Sequence, residues 1–438
     1  MRFSPIAVLL AGILPAVGVF AEPPWKTNVP IAEVARELYA KHPKPKTAIT
    51  TSVDYVGPAF EMKEVRMWQA ISDTPEKPVC RYSSDNGENW SDFEPQEEVV
   101  SYHEGKEIIW CPGPTLFDPA SGALVGVWLR QTRLGGNQFR NHCFCRLSRD
   151  GARTWSEPRL MRYEEGADFD PANPLDPAFL EHNQAYFGQN LIKRRDGALV
   201  FSVTTANIPA DAPDPNPRKI EAFYVPVDCR SIGGVNFVGT WNAGAQSYEW
   251  RAGNVVWVPR HVSSRGLMEP AVAELGDRRV LTVWRCSNQN LDRSEQPGRK
   301  RYAISTDGGL TMGEPAEWKY ADGTSFYSPS SLHRFVRHSV TGRLYWVGNI
   351  SPAPCSGNSP RYPLIIAEVD EIKAALKKDT VTVIDDRREG DGPGVQLSNF
   401  SLFENRKTHD LEIYLTRLGE DASSVWNADA YKYTIKLK

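Results

Sequence analysis

Residues 268–312 read MEPAVAELGDRRVLTVWRCSNQNLDRSEQPGRKRYAISTDGGLTM. Two alternating apolar runs, 271–275 and 280–284, flank Gly276 and Asp277. Alternation across a short Gly/Asp connection predicts a β-hairpin. A third strand, 301–305, runs into STDGG, where Asp307 and two glycines suit a tight turn. Glu269 opens the first strand and Arg285 closes the second, so an acid and a base stand near one edge of one sheet.

The unit recurs. Residues 83–90 read SSDNGENW, 148–155 read SRDGARTW and 305–312 read STDGGLTM. All three fit S-x-D-(G/N)-(G/A)-x-(T/N)-(W/M), each after a strand-like run. Such a segment is a β-turn whose Asp accepts backbone N–H groups and whose small residues take positive φ. Repetition of one turn predicts stacked or radial sheets rather than a single mixed fold.

The eight-residue pattern resembles the Asp-box of the sialidase (neuraminidase) superfamily. That resemblance covers most of the chain after about residue 45. It implies an all-β fold, a six-bladed β-propeller of four-stranded antiparallel blades. The boxes lie at the blade periphery in that family and also occur in non-catalytic propellers, so they carry fold and not activity.

Composition agrees with a turn-rich β protein: 11% aromatic residues with 13 Trp, 33 Gly and 33 Pro in 438 residues. A net charge of −3 offers no electrostatic case for nucleic acid or a membrane surface. After the N-terminus no apolar run is long enough to span a bilayer. Residues 1–21 read as a cleavable signal peptide: Arg2 is followed by an apolar stretch over 6–20 and by Val19-Phe20-Ala21 before Glu22. The mature chain is therefore expected to be secreted or periplasmic. Seven cysteines, at 80, 111, 143, 145, 229, 286 and 355, are an odd number without zinc-ligand spacing. Cys143 and Cys145, two apart on one strand, point the same way and read as core residues. No metal and no cofactor is expected.

In chain order, IAEVARELYAKH at 31–42 has helical spacing and ends at Pro43, predicting a short N-terminal helix within a 22–44 extension. The propeller is expected over 45–438. Blade one occupies about 47–90, and blade two runs to the second box. An acidic, Pro-rich connection over 164–182 is of a length that is often functional. Blade three starts at AYFGQNLIKRRDGALVFSVTT, makes a Pro-rich excursion over 207–217 and continues at AFYVPVD, with no intact box after it. Blade four is the opening stretch. Blade five is SFYSPSSLHRF, GRLYWVGNI and PLIIAEVD with a short helix over 371–378, and blade six is VQLSNFSLFE, LEIYLTRL and AYKYTIKL.

A propeller collects ligand groups one or two per blade at the channel mouth, so no compact motif is expected. In the sialidase family three Arg clamp a carboxylate, a Tyr with a Glu as its base is the nucleophile, and an Asp is the acid/base. Arg supplies a planar fork to a carboxylate, and a Tyr needs a nearby carboxylate to lose its proton. By this resemblance Glu269 in MEPAVAEL matches the base, Arg285 in LTVWRCS one clamp Arg, and Arg361 in SPRYPL another. The first clamp Arg would fall at Val56 in YVGPA, and the nucleophile at Leu397 in LSN, so the chain departs from the family pattern at both.

Tyr327 in SFYSPSS is the substitute candidate for the nucleophile, and Asp73, in the loop over 71–78, for the acid. His182, Gln184 and Tyr186 form, with Asn183, a polar and aromatic cluster suited to a sugar, and Trp110 with Tyr102 offer a stacking platform. Each has a structural alternative. Glu269 and Arg285 can be an ion pair across a hairpin, Arg361 a surface arginine and Tyr327 a core tyrosine. Asp73 can be a solvated loop residue and His182 a structural histidine. His333 alternates with Leu332 and is expected to pack.

The reading that follows is an exported carbohydrate-active enzyme, an exo-acting glycoside hydrolase on an acidic or modified sugar. The alternatives are a polysaccharide lyase on a uronic-acid-containing glycan and a non-catalytic glycan- or protein-binding propeller. The expected partner is an anionic carbohydrate, with no nucleic acid and no membrane span.

Overall fold

The computed structural model describes residues 22–71, 76, 78–96, 100–135, 138–205, 232–259, 261–289 and 291–438. The signal-peptide segment, Asp73, Cys229, the 207–217 excursion and the AFYVPVD run lie outside them. The chain forms six antiparallel sheets of at least four strands each, arranged as a six-bladed propeller. Their inner strands are Ala48–Tyr55, Lys106–Asp118, Ala185–Lys193, Met268–Glu274, Arg334–Arg337 and Ser401–Glu404.

Apolar residues fill the seams between blades, as expected where sheets pack face to face. One cluster joins blades four and five through Leu281, Trp318, Trp346 and Ile365. A second joins blades five and six through Val347, Ile366, Ile413 and Tyr433. A third joins blades two and three through Val127, Phe201, Phe237 and both Cys143 and Cys145. All six described cysteines are free. No described helix is long and apolar enough to cross a membrane.

The three repeated turns share one hydrogen-bond pattern. Ser83 Oγ donates to Asp85 at 2.8 Å and accepts from Gly87 N at 2.9 Å, while Asn89 N donates to Asp85 at 2.9 Å. Ser148, Asp150, Ala152 and Thr154 repeat this at 2.8, 2.9 and 2.9 Å. Ser305, Asp307, Gly309 and Thr311 do so at 2.6, 2.8 and 2.8 Å. The amide that bonds the serine sits at φ +81° in Gly87, +66° in Ala152 and +112° in Gly309, the left-handed region where glycine pays no Cβ penalty. These turns lie on the face that also carries the first hairpin turn of each blade: Arg194, beside the Asp196-Gly197 turn, donates to Gly308 O at 2.8 Å.

Two expected helices are strands or turns. Residues Ala32–Ala40 form a strand paired antiparallel with Ala430–Leu437, from Ala32↔Leu437 to Ala40↔Ala430. The last blade takes its outermost strand from the N-terminal end of the chain, which closes the ring. A twelve-residue helix is marginal in water. An unpaired edge on the final strand is a greater liability, so long-range pairing overrides local propensity. Over 371–378, the Asp370 carboxylate caps the amides of Ile372 and Lys373. Ala374 then takes φ +52°, which no α-helix accommodates. The chain makes a two-residue strand, Ala375–Leu376, and a 3₁₀ turn, Lys378–Thr380. Blade three draws its outer strands from Gly233–Asn242 and Ser247–Ala252. Blade two gains an extra strand, Val100–His103, paired with the start of its inner strand Lys106–Asp118.

Candidate active site at the channel mouth

The mouth opposite the repeated turns is built from the first residues of inner strands and from loops that follow second strands. In blade four the register pairs Met268 with Arg285 and then breaks by a bulge before Ala271↔Val283. The bulge carries Glu269 at φ +41°, uncommon for a non-glycine residue and a form of strain that concentrates at functional sites. Two contacts hold it there. Thr204 Oγ accepts the Glu269 amide at 2.8 Å. Gly188 of the neighbouring inner strand packs so closely that a Cβ on it would lie 2.6 Å from Pro270 O.

Glu269 and Arg285 form a buried ion pair. Burial by itself raises the Glu269 pKa, but Arg285, with Arg265 and Arg361 behind it, more than offsets this and holds the carboxyl below its ordinary value. Glu269 is therefore an anion at neutral pH, fit to accept a proton or stabilise positive charge and unfit to donate a proton.

Ser330, from the segment leading into blade five, couples two guanidiniums. Its hydroxyl accepts Arg285 Nε at 2.9 Å and its carbonyl accepts Arg361 Nη2 at 3.2 Å. Arg361 also donates to Gln396 at 2.9 Å, and Arg285 to Asn358 at 3.2 Å. Lys300, fully buried, donates to Pro329 O at 3.1 Å and Ser331 O at 2.7 Å, so it clamps the peptide on either side of Ser330. Burial first, then Arg285 and Arg361, push the Lys300 amine down to about 7. His333, buried as its alternation predicts, has a ring nitrogen 3.1 Å from Val283 O and a pKa driven well down by burial and by Lys300. One carboxylate thus sits among three guanidiniums and a buried amine, so the mouth favours an anion.

Tyr327 lies three residues before Ser330, in the segment leading into blade five. Its ring carries the Arg299 guanidinium at 4.4 Å and its backbone bridges to Ser351, in the seam between blades four and five. The adjacent Phe326 anchors the segment in the blade core.

The blade-three cluster divides. His182 is half exposed, 4.0 Å from Glu164, and its carbonyl lies 3.1 Å from the His142 ring. Gln184 is buried, and its Oε1 has no hydrogen-bond partner among the described residues, a cost that a ligand or water relieves. Tyr186 is half-buried directly across from Thr204, the residue that holds the Glu269 amide. Trp110 packs at 5.0 Å on Phe144, so it belongs to an aromatic cluster, while Tyr102 is exposed on the added strand.

The two positions of departure also separate. Val56 follows the far end of its inner strand and packs on Leu124 and Ala152, beside the second repeated turn. That is the opposite face from Glu269, so no side chain there reaches the mouth. Leu397, by contrast, is at the mouth: its amide donates to Arg361 O at 2.9 Å and its side chain fills the seam between blades five and six. Sequence reading missed Arg265, Lys300, Ser330, Asn358 and Gln396. The signal available for them was a shared position at strand starts or in loops after second strands. Among the described residues no group of three His, Cys, Asp or Glu could hold a metal ion.

No family model matches the chain, and no curated protein does. Among solved structures it is similar to a protein of unknown function from Dyadobacter fermentans, at 13% identity over 92% of this chain and 99% of that one, TM-score 0.57. It is also similar to a mutant of the NanB sialidase from Streptococcus pneumoniae, at 11% identity over 92% and 70%, TM-score 0.57. A third is the intramolecular trans-sialidase from Ruminococcus gnavus in complex with oseltamivir carboxylate, at 10% identity over 89% and 94%, TM-score 0.54. At these identities the likeness is one of fold, a sialidase-like six-bladed propeller.

Proposed function

We propose that this chain is an exported carbohydrate-active enzyme, an exo-acting glycoside hydrolase that takes an acidic sugar at the channel mouth. The observation that carries this reading is the charge of the mouth: Arg285, Arg265 and Arg361 all act on the single buried carboxylate of Glu269. A guanidinium group of this kind, partly pre-fixed by Ser330 and Gln396, is suited to a carboxylate or sulfate on a sugar ring. In this reading Arg285 and Arg361 bind the anion, and Glu269 is the base or electrostatic partner. Tyr186, Gln184 and His182 contact the ring from blade three. Asp73, which follows the second strand of blade one in the sequence, is the candidate acid. Tyr327, three residues before Ser330, is the candidate nucleophile.

Leu397, at the position of the family's tyrosine nucleophile, favours one other reading, a propeller that binds an acidic glycan without cleaving it. A glycan panel separates the two. Reducing sugar released without new ultraviolet absorbance supports the hydrolase, and an unsaturated absorbing product identifies a lyase. Binding without turnover leaves a glycan-binding propeller. Glu269→Gln is expected to lower kcat at least about a hundredfold, the scale of one acid–base group. Unchanged kcat in a variant whose melting curve shows it folded removes Glu269 from the chemistry.

A further inference from the structure

A cleft of about 330 Å³ opens beside the mouth, lined by Arg293, Ser356, Ser359, Arg361, Tyr362 and the 393–395 segment. Its size is at the lower end of the roughly 300–1,000 Å³ of small-molecule sites. It is continuous with the Glu269 group, because Arg361 lines both and Asn358, in the same loop, accepts from Arg285 at 3.2 Å. The walls are built in advance. Asn288 donates to Cys355 O at 2.8 Å and accepts from Gly357 N at 2.8 Å, while Ser330 N donates to Gly357 O at 2.8 Å. The opposite wall is tied by Arg417, nearly inaccessible, which bonds Asp391 at 2.6 Å and also Asp385. Gly392 N adds a bond to Gly419 O at 2.9 Å. Proline and tyrosine surfaces suit the C–H face of a sugar, serine hydroxyls suit its hydroxyls, and Arg293 reaches in from the loop after the second strand of blade four.

We propose that this cleft is a second subsite, which takes the neighbouring residue of an acidic oligosaccharide and pairs Arg293 with an anionic group on it. The inference rests on the reading of the mouth as an acidic-sugar site and narrows the substrate class to glycans with a charge on each of two successive units. Two guanidiniums lining one preformed cleft discriminate a doubly charged segment from a singly charged one of equal length.

Binding, rather than turnover, is the test. Isothermal titration would compare 4-nitrophenyl glucuronide, a trigalacturonate, a hyaluronan tetrasaccharide and cellotetraose in the full chain and in Arg293→Gln. The expected result is that trigalacturonate, charged on successive units, binds tighter than the monosaccharide glycoside and than hyaluronan, whose charges alternate. Arg293→Gln should then reduce that oligomer-to-monosaccharide affinity ratio by roughly fivefold, the scale of one solvent-screened ion pair. An unchanged ratio in the variant, or no gain from the additional charges in any probe, overturns the subsite. Failure of the mouth reading has a different signature: oligomer binding that survives Arg285→Met but is lost in Arg293→Gln.

Discussion

The two faces of this propeller are held by opposite kinds of contact. On one face, three turns each satisfy their own backbone within eight residues, Ser to Asp to amide, and the same bonds recur in each. On the other, Arg285 answers to Glu269, Ser330 and Asn358, drawn from two blades and up to 73 positions away. Local closure makes a face that repeats. Long-range closure makes one where each blade contributes something different, which a ligand site requires.

The largest test of that contrast is Arg285→Met. It strands the buried Glu269 carboxylate, and breaking one side of a buried pair costs about 3–5 kcal/mol. Chemical denaturation should show that loss, and binding of acidic glycans should vanish with it. Replacing both members, Glu269→Leu with Arg285→Met, should recover most of the stability and none of the binding. Recovery of binding in the double variant would show that the pair is structural only.

Lys300 gives a smaller effect with a pH signature. Its pKa falls from the ordinary 10.5 to about 7 in the folded chain, so between these values the unfolded chain binds more protons. Stability from this group is therefore fully present above about 10.5, declines as pH falls, and reaches its low plateau below about 7. Lys300→Met should flatten that slope in melting curves taken across the window. It should also weaken anion binding, because Ser330 loses the clamp on its flanking carbonyls. An unaltered slope would remove Lys300 from the linkage.

The smallest effect belongs to the repeating face. Ser305→Ala removes the hydroxyl that joins Asp307 to Gly309 N and should cost about 1 kcal/mol, the net worth of a hydrogen bond, with no change in glycan affinity. A loss of affinity on that variant would break the division between the faces.

The same division explains what could be read in advance. The repeated turn is a local pattern, and the family resemblance it carries implied the fold class and the blade count. Glu269 and Arg285 were legible as neighbours because hairpin register places Met268 opposite Arg285. Ala32–Ala40 was misread as a helix because its partner strand lies at the other end of the chain. The 371–378 helix failed on the positive φ of Ala374, which nothing in the local residue types announces. Val56 was placed at the wrong end of its strand, since a motif match reports order along the chain and not which face a strand end reaches.

By itself the amino-acid sequence determined the repeating unit, the all-β class, the antiparallel pairing within each blade and the acid–base pair at the head of blade four. These rest on interactions among residues close in sequence, whose geometry is set by turn chemistry and by the two-residue period of a strand. Only the tertiary structure decided which end of each strand faces the mouth, that the N-terminal segment closes the ring, and that Arg265, Lys300, Ser330 and Arg361 gather around one carboxylate. Those outcomes depend on how six sheets pack around a common axis, and the packing is carried by apolar seams whose partners lie far apart along the chain.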